Sequence, residues 1–306
     1  MNEKTSHVFI LGSPRSGTTI LGEVLGSLPS VAHWYEPYYA WERHLSGLPD
    51  DVWSIDQLSA DISLKIKKDY LCFARLSKKD ILVDKTPTHA FNIPFIQRVF
   101  PDARWIHIIR DGRDVTLSIR REWEKRAAIV RQKDWAGFFR ITRNMLARQP
   151  FWRFRLMAVL HELRTKASFN PSRYLNKTRW EGYPGWGPRF PGWKSYLEQH
   201  TTLEFNAMQW VTSVNAAMDD LRALPEENTL EVRYEDLIVN QDEVLSDILA
   251  FCGAIPSSSY LKELPRLKAN NSQKWHNAFD ASEIEMIKPI LTAQLSKLGY
   301  LDKWPW

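Results

Sequence analysis

The side chains best placed for chemistry in this sequence are cations and carboxylates that follow short apolar runs. Arg15 sits in Ser13-Pro14-Arg15-Ser16-Gly17-Thr18-Thr19, and Arg110 opens Arg110-Asp111-Gly112-Arg113-Asp114 with Ser118 eight residues on. A guanidinium offers a planar fork of N–H donors that matches a phosphate, and a hydroxyl can complete the grip. Glu36, ahead of Pro37, and Lys85, in Asp84-Lys85-Thr86-Pro87, add a carboxylate and an ammonium after apolar runs of their own. The chemistry within reach is therefore capture of a phosphate-like anion.

The elements that must position these groups are legible. Val8 to Leu11 reads as a buried strand ending at Gly12, and Thr18-Thr19 opens a helix with Ile20, Leu21, Val24, Leu25 and Leu28 on its inner face. A strand, a small-residue turn and a helix start aim unpaired N–H groups and the positive end of the helix dipole at one anion. Gly12 and Gly17 match the glycines of G-x-x-x-x-G-K-[ST], but Thr18 stands in the lysine's place. A triphosphate-using kinase or GTPase needs that lysine beside its magnesium, so the loop holds an anion without being built for ATP or GTP. Ala103 to Ile109 reads as a second strand with Arg110 at its end. Ser118 then lies about two turns into the next helix, where it and Arg110 can meet on one phosphate. Ala32-His33-Trp34 and residues 80–84 read as two further strands, which puts Glu36 and Lys85 at the strand-end edge where open parallel sheets keep their sites.

The chain has 306 residues, 44% hydrophobic and 25% charged, enough for one α/β domain with a substantial core. Its net charge of +5 suits a polyanionic nucleotide but is too small to argue for nucleic acid. Two cysteines, Cys72 and Cys252, indicate no disulfide framework. With no leader before Val8 and no apolar run long enough to span a bilayer, the expected location is cytoplasmic. No zinc-ligand spacing or nucleophile elbow occurs, and no metal site is expected.

Elsewhere the pattern predicts a helix over 50–79, a helix from Thr201 to near Pro225, a strand from Asn228 to Tyr234, and a helix over Glu243–Phe251 stopped by Gly253. A last helix is expected from Ser282, capped by Ser282 and Glu285, to Gly299. Ten arginines with interleaved aromatics between 119 and 166 read either as solvated faces over an aromatic core or as an acceptor site for something acidic. The Pro-, Gly- and Trp-rich stretch 169–196 reads as a long loop that either anchors to the body or forms an aromatic lid.

Four segments, Pro14 to Thr19 (PRSGTT), Asp84 to Pro87 (DKTP), Arg110 to Ser118 (RDGRDVTLS) and Val232 to Leu237 (VRYEDL), resemble the sulfotransferases that use 3′-phosphoadenosine 5′-phosphosulfate (PAPS). The likeness is to glycan and tyrosylprotein sulfotransferases and their bacterial relatives. It implies a three-layer α/β fold with a mostly parallel central sheet, like that of P-loop nucleoside triphosphate hydrolases. It also implies one domain over 1–306, with an acceptor-side helical and Trp-rich insertion at about 119–200. In the family, Golgi members carry a membrane anchor, and no such anchor is expected here.

The resemblance assigns roles. Arg15, Lys85 and the N–H groups of Ser16, Gly17, Thr18 and Thr19 would neutralise the sulfonate and the departing 5′-phosphate. Arg110 and Ser118 would bind the 3′-phosphate, Tyr234 would lie by the adenine nucleotide, and Lys274 would reach the donor from a C-terminal loop. Glu36 would take the acceptor's proton, with His33 as the competing base. PAPS would be the co-substrate and PAP the product, with no metal. The acceptor (glycan, small metabolite, lipid or protein tyrosine) stays open. The rival readings are a P-loop phosphotransferase and a non-catalytic protein that binds PAPS or PAP.

Overall fold

The protein is described by a computed structural model covering residues 5–45, 48–132, 136–137, 140, 143–144, 147–149, 151–165, 187–254, 264, 267 and 271–306. Five strands form one sheet in the order β2-β3-β1-β4-β5, and every neighbouring pair is parallel. They are β1 (Ser6–Leu11), β2 (Val31–Tyr35), β3 (Ile81–Lys85), β4 (Arg104–Ile109) and β5 (Thr229–Arg233). A parallel sheet needs both faces covered, and β1 shows how the sequence achieves it. Val8 and Ile10 point into one apolar core, and Phe9 and Leu11 into the other. Because strand side chains alternate, a continuous apolar run serves two layers at once.

On the first face lie α1 (Thr18–Gly26), α9 (Tyr234–Val239) and α10 (Gln241–Cys252), which contribute Leu21, Leu25, Leu237, Ile248 and Leu249. The second face is covered by α2 (Tyr38–Glu42), α3 (Ala60–Ser77), α4 (Ile93–Val99) and α6 (Trp152–Thr165), where Trp34 stacks on Phe73 at 4.4 Å. A third cluster joins the long helices α5 (Gly112–Arg131), α8 (Thr202–Leu221) and α11 (Ala281–Lys297) around Trp210 and Trp275. Two short helices, α7 (Trp193–Gln199) and α12 (Tyr300–Lys303), complete the described α-helices.

The expected three-layer fold is the one observed, with local corrections. The helix expected over 50–79 begins only at Ala60, because Ser59 caps it by accepting from the Ile62 N–H at 3.2 Å. Before it, Asp51 is tied to Arg189 at 2.9 Å and a single turn occupies Ile55–Gln57. The final helix is capped two residues earlier than expected: Asp280 accepts from the Glu283 N–H at 2.9 Å, and Glu283 accepts from the Asp280 N–H at 3.1 Å. Tyr234 opens α9 instead of closing β5, and Lys85 is the last residue of β3.

Of the Trp-rich stretch 169–196, residues 169–186, with Trp180, Tyr183 and Trp186, lie outside the described residues. Phe190 and Trp193 are anchors, buried against Phe91 and Phe205, and the Trp193 indole donates to the Pro49 carbonyl at 2.9 Å.

Candidate active site

Register decides which groups meet. Lys85 pairs with Tyr35 across β2–β3 and with Ile10 across β3–β1, so all three strands end at one level. The residue after Tyr35 is Glu36, whose backbone sits in the left-handed region at φ 45°. Its N–H donates to the Lys85 carbonyl at 3.1 Å, and its carboxylate forms an ion pair with Lys85 Nζ. A non-glycine residue held at positive φ stores strain that the surrounding contacts must offset, and such residues cluster at functional sites. Here the strain turns Glu36 towards an ammonium whose side chain is only 3% exposed. Tyr35 lies between two cations, 5.0 Å from Lys85 Nζ and 4.4 Å from the Arg148 guanidinium. Burial, with Glu36 beside it, raises its phenol above the ordinary range.

The loop after β1 turns on Gly12, Arg15 and Gly17, all at positive φ. Any Cβ at Gly17 would fall 2.5 Å from the Tyr234 ring, so only glycine lets that ring close on the loop. The Ser16 N–H is used inside the turn, donating to the Ser13 carbonyl at 3.2 Å. That removes it from the expected set of anion donors and leaves the helix-start groups of Gly17, Thr18 and Thr19, which have no intrahelical partner. These residues open onto a cavity of about 560 Å³ that is also lined by Arg15, Arg110, Ser118, Tyr234 and Lys274.

Arg110 stands across the loop at the end of β4. It donates through Nη1 to the Arg15 carbonyl at 3.0 Å and through Nη2 to the Asn271 carbonyl, and lies 4.5 Å from the Tyr234 ring centre. Arg15 Nε in turn donates to Ser118 Oγ at 3.0 Å. Lys274 reaches the same rim, donating to Asn271 Oδ1 at 2.6 Å. The structure thus brings Arg15, Gly17, Thr18, Thr19, Arg110, Ser118, Tyr234 and Lys274 around one cavity. Glu36 and Lys85 adjoin it through Tyr35.

His33 is elsewhere. Its ring packs under α1, where a Cβ at Gly22 would lie 2.5 Å from Nε2, and burial with Lys85 nearby pushes it down to about 4. It does not line the cavity.

Several residues that hold the site were not singled out from sequence. Asp114 accepts from the backbone N–H groups of Gln273 at 2.6 Å and Trp275 at 3.1 Å, tying the C-terminal loop beside Arg110. Burial pushes its carboxyl up, opposed by the Arg110 guanidinium. Its place four residues after Arg110 on a helix start was the available signal. Glu235 accepts from the Asp111 N–H at 3.0 Å and from the Tyr300 hydroxyl at 2.8 Å, fixing the turn below Arg110. Arg113 is fully buried, forked onto Asp111 and 4.1 Å from the Trp275 ring.

The donor set fits an adenosine bisphosphate. Ser13 Oγ, Ser16 Oγ and Arg110 Nε are buried polar atoms without a hydrogen-bond partner, and all lie in the loop or at its facing strand end. Of these residues Arg110 lines the cavity, so a ligand oxygen beside it would give Nε its missing partner. The volume is within the range of small-ligand sites. Among the described residues no helix is long and apolar enough to cross a membrane.

Comparisons with known proteins agree with this geometry. A family model described as the sulfotransferase family matches residues 7–176 and 189–255. A Caenorhabditis briggsae protein named for protein-tyrosine sulfotransferase activity is 32% identical over 124 residues, which cover 37% of this chain and 42% of that protein. The nodulation protein NoeE of Sinorhizobium fredii is 26% identical over 133 residues, covering 38% of this chain and 31% of its own length. The matched segments thus span less than half of either relative. A sulfotransferase structure from Alicyclobacillus acidocaldarius superposes with a TM-score of 0.51 over 98% of this chain and 96% of its own, at 13% identity, a likeness of fold. With the family model matching well over half of its length, this chain belongs to the sulfotransferase family.

Proposed function

We propose that the chain transfers a sulfuryl group from PAPS to an acceptor hydroxyl or amine. The observation that carries this reading is the convergence of Arg110, Arg15, Ser118 and the α1 start on one cavity, with the Glu36–Lys85 pair at the neighbouring strand end. Arg110 and Ser118 would hold the 3′-phosphate, a group ATP and GTP lack. Tyr234, closed against Gly17 and Arg110, would bear on the nucleoside. The N–H groups of Gly17, Thr18 and Thr19, with Arg15, would stabilise the 5′-phosphate as it departs, the kind of charge stabilisation that dominates group transfer. Lys85 would leave Glu36 for the sulfonate oxygens. Glu36 would then accept the acceptor's proton as the acceptor oxygen or nitrogen forms its bond to sulfur and the bond from sulfur to the 5′-phosphate oxygen breaks. Glu36 is preferred to His33 as base because the His33 ring packs against α1 and does not line the cavity. No step calls for a metal ion. A tyrosine-containing peptide is the first acceptor to try, given the name of the nematode relative.

Isothermal titration with 3′,5′-ADP and 5′-AMP, each with and without magnesium, tests the donor half. The expected result is magnesium-independent binding that prefers the bisphosphate. Equal affinity for the two nucleotides would remove the basis for PAPS.

A further inference from the structure

The donor site leaves one feature of the molecule unused. Helix α6 buries Phe154 against Phe73 and Trp34, yet Trp152 is 76% exposed, Leu156 49% and Leu160 55%. At about 100° per residue these three side chains share roughly 80° of the helix surface and run about 12 Å along it. Phe154 projects from nearly the opposite side. Arg153 and Arg155, both exposed, fall about 20° and about 60° beyond the two margins of the stripe. From residue 135 to 161 the sequence holds five arginines and neither aspartate nor glutamate, and of these Arg140 and Arg143 are exposed as well. A scattered exposed leucine needs no explanation, but a Trp-Leu-Leu stripe with cations on both sides does.

We propose that α6 docks on an anionic lipid surface, with Trp152, Leu156 and Leu160 entering the headgroup boundary and Arg153 and Arg155 meeting lipid phosphates. The charge decides between occupants. A second copy of this chain would set arginine against arginine across a symmetric contact, whereas an anionic bilayer complements the cations and receives tryptophan and leucine at its interface. The surface is distinct from the donor cavity, so the proposal stands apart from the sulfuryl-transfer reading. Arg148, four residues before the helix, both stacks on Tyr35 and lines the cavity, so a docked chain would hold its cavity rim near the membrane.

Vesicle sedimentation of the full chain tests this with phosphatidylcholine alone and with added phosphatidylglycerol. The expected result is binding to the anionic vesicles only, weakened by high salt. It should fall at least about tenfold in Trp152→Ser/Leu156→Ser/Leu160→Ser and, separately, in Arg153→Glu/Arg155→Glu. Far-UV circular dichroism and thermal melting confirm that each variant is folded, and two variants of opposite chemistry guard against loss of one. No binding of the wild type to anionic vesicles, or unchanged binding in both variants, overturns the proposal. So does a wild-type dimer, seen by sedimentation velocity, that becomes monomeric in the apolar triple variant, since that would make the stripe a contact between copies.

Discussion

Arginines around the cavity and the exposed arginines between residues 140 and 153 live under opposite rules. At the donor end Arg110 and Arg113 are buried and tied to other elements: Arg110 to the β1–α1 loop and the C-terminal loop, Arg113 to Asp111 and the face of Trp275. Arg140, Arg143 and Arg153 are exposed. A buried guanidinium held by backbone carbonyls loses little freedom when a ligand arrives and presents a fixed geometry, which suits one invariant donor nucleotide. Exposed arginines are cheap to change and adapt to a variable or extended partner. Within the buried set there is a second division. Arg113 has its fork satisfied by Asp111, while Arg110 retains an unpartnered Nε. The first reads as architecture and the second as a binding group.

The largest expected effect lies where the two regions meet. Glu36→Gln should lower kcat by about 10²–10⁴, the usual worth of one general base, while 3′,5′-ADP titrates as in the wild type. Fully retained turnover would take Glu36 out of the mechanism.

Arg113→Leu sharpens the division between architecture and binding. It strands Asp111 in the interior, and breaking a buried pair from one side costs about 3–5 kcal/mol. Urea denaturation should show that loss. An equal truncation at Arg153 should cost under about 0.5 kcal/mol, as for other surface changes. Comparable losses at the two sites would erase the contrast.

Arg110→Ala removes the charge-assisted contact assigned to the 3′-phosphate. At about 1.5–3 kcal/mol for a hydrogen bond to a charged group, 3′,5′-ADP should bind roughly tenfold to a hundredfold more weakly. Titration with 5′-AMP should change little, because that nucleotide lacks the phosphate in question.

Much of the donor end was legible because each of its parts is local. A strand, a glycine turn and a helix start specify an anion site within the twelve residues from Val8 to Thr19, and Arg110 with Ser118 repeats the logic one strand away. What escaped was the second layer of support, where the partners are distant in sequence. The hold of Asp114 on Gln273 and Trp275, and of Glu235 on Asp111 and Tyr300, exist only once the chain has folded. The strain at Glu36 was likewise invisible, since nothing in Tyr35-Glu36-Pro37 specifies a positive φ. The helix-cap error had a different cause. Ser282 and Glu285 satisfy the capping pattern as well as Asp280 and Glu283 do, and Ser282 spends its hydroxyl on Asp280 instead, at 2.7 Å. Between 119 and 166 the arginine and aromatic pattern gave no single reading, because exposed cations over an aromatic core serve solubility and recognition equally well.

The smallest predicted effect tests whether the donor end, built of buried groups, is also the acid-sensitive one. His107 lies in β4, three residues before Arg110, with both ring nitrogens buried and unpartnered, and burial pushes it down to about 3. An unfolded chain takes up that proton near 6.5. Between these values the unfolded state binds more protons, so stability falls as pH drops from about 6.5 towards 3, by about 1.4 kcal/mol per pH unit for this one group. Asp114 and Glu235, raised by burial, bind protons in the folded state and oppose the trend, so the wild-type profile alone mixes the two signs. His107→Leu isolates the histidine: between pH 7 and pH 5 the variant should lose about 2 kcal/mol less than the wild type in urea denaturation. Parallel curves for wild type and His107→Leu would mean that water or rearrangement satisfies His107 on protonation, and the acid limb would then belong to the other histidines that burial pushes down, His7, His33 and His44.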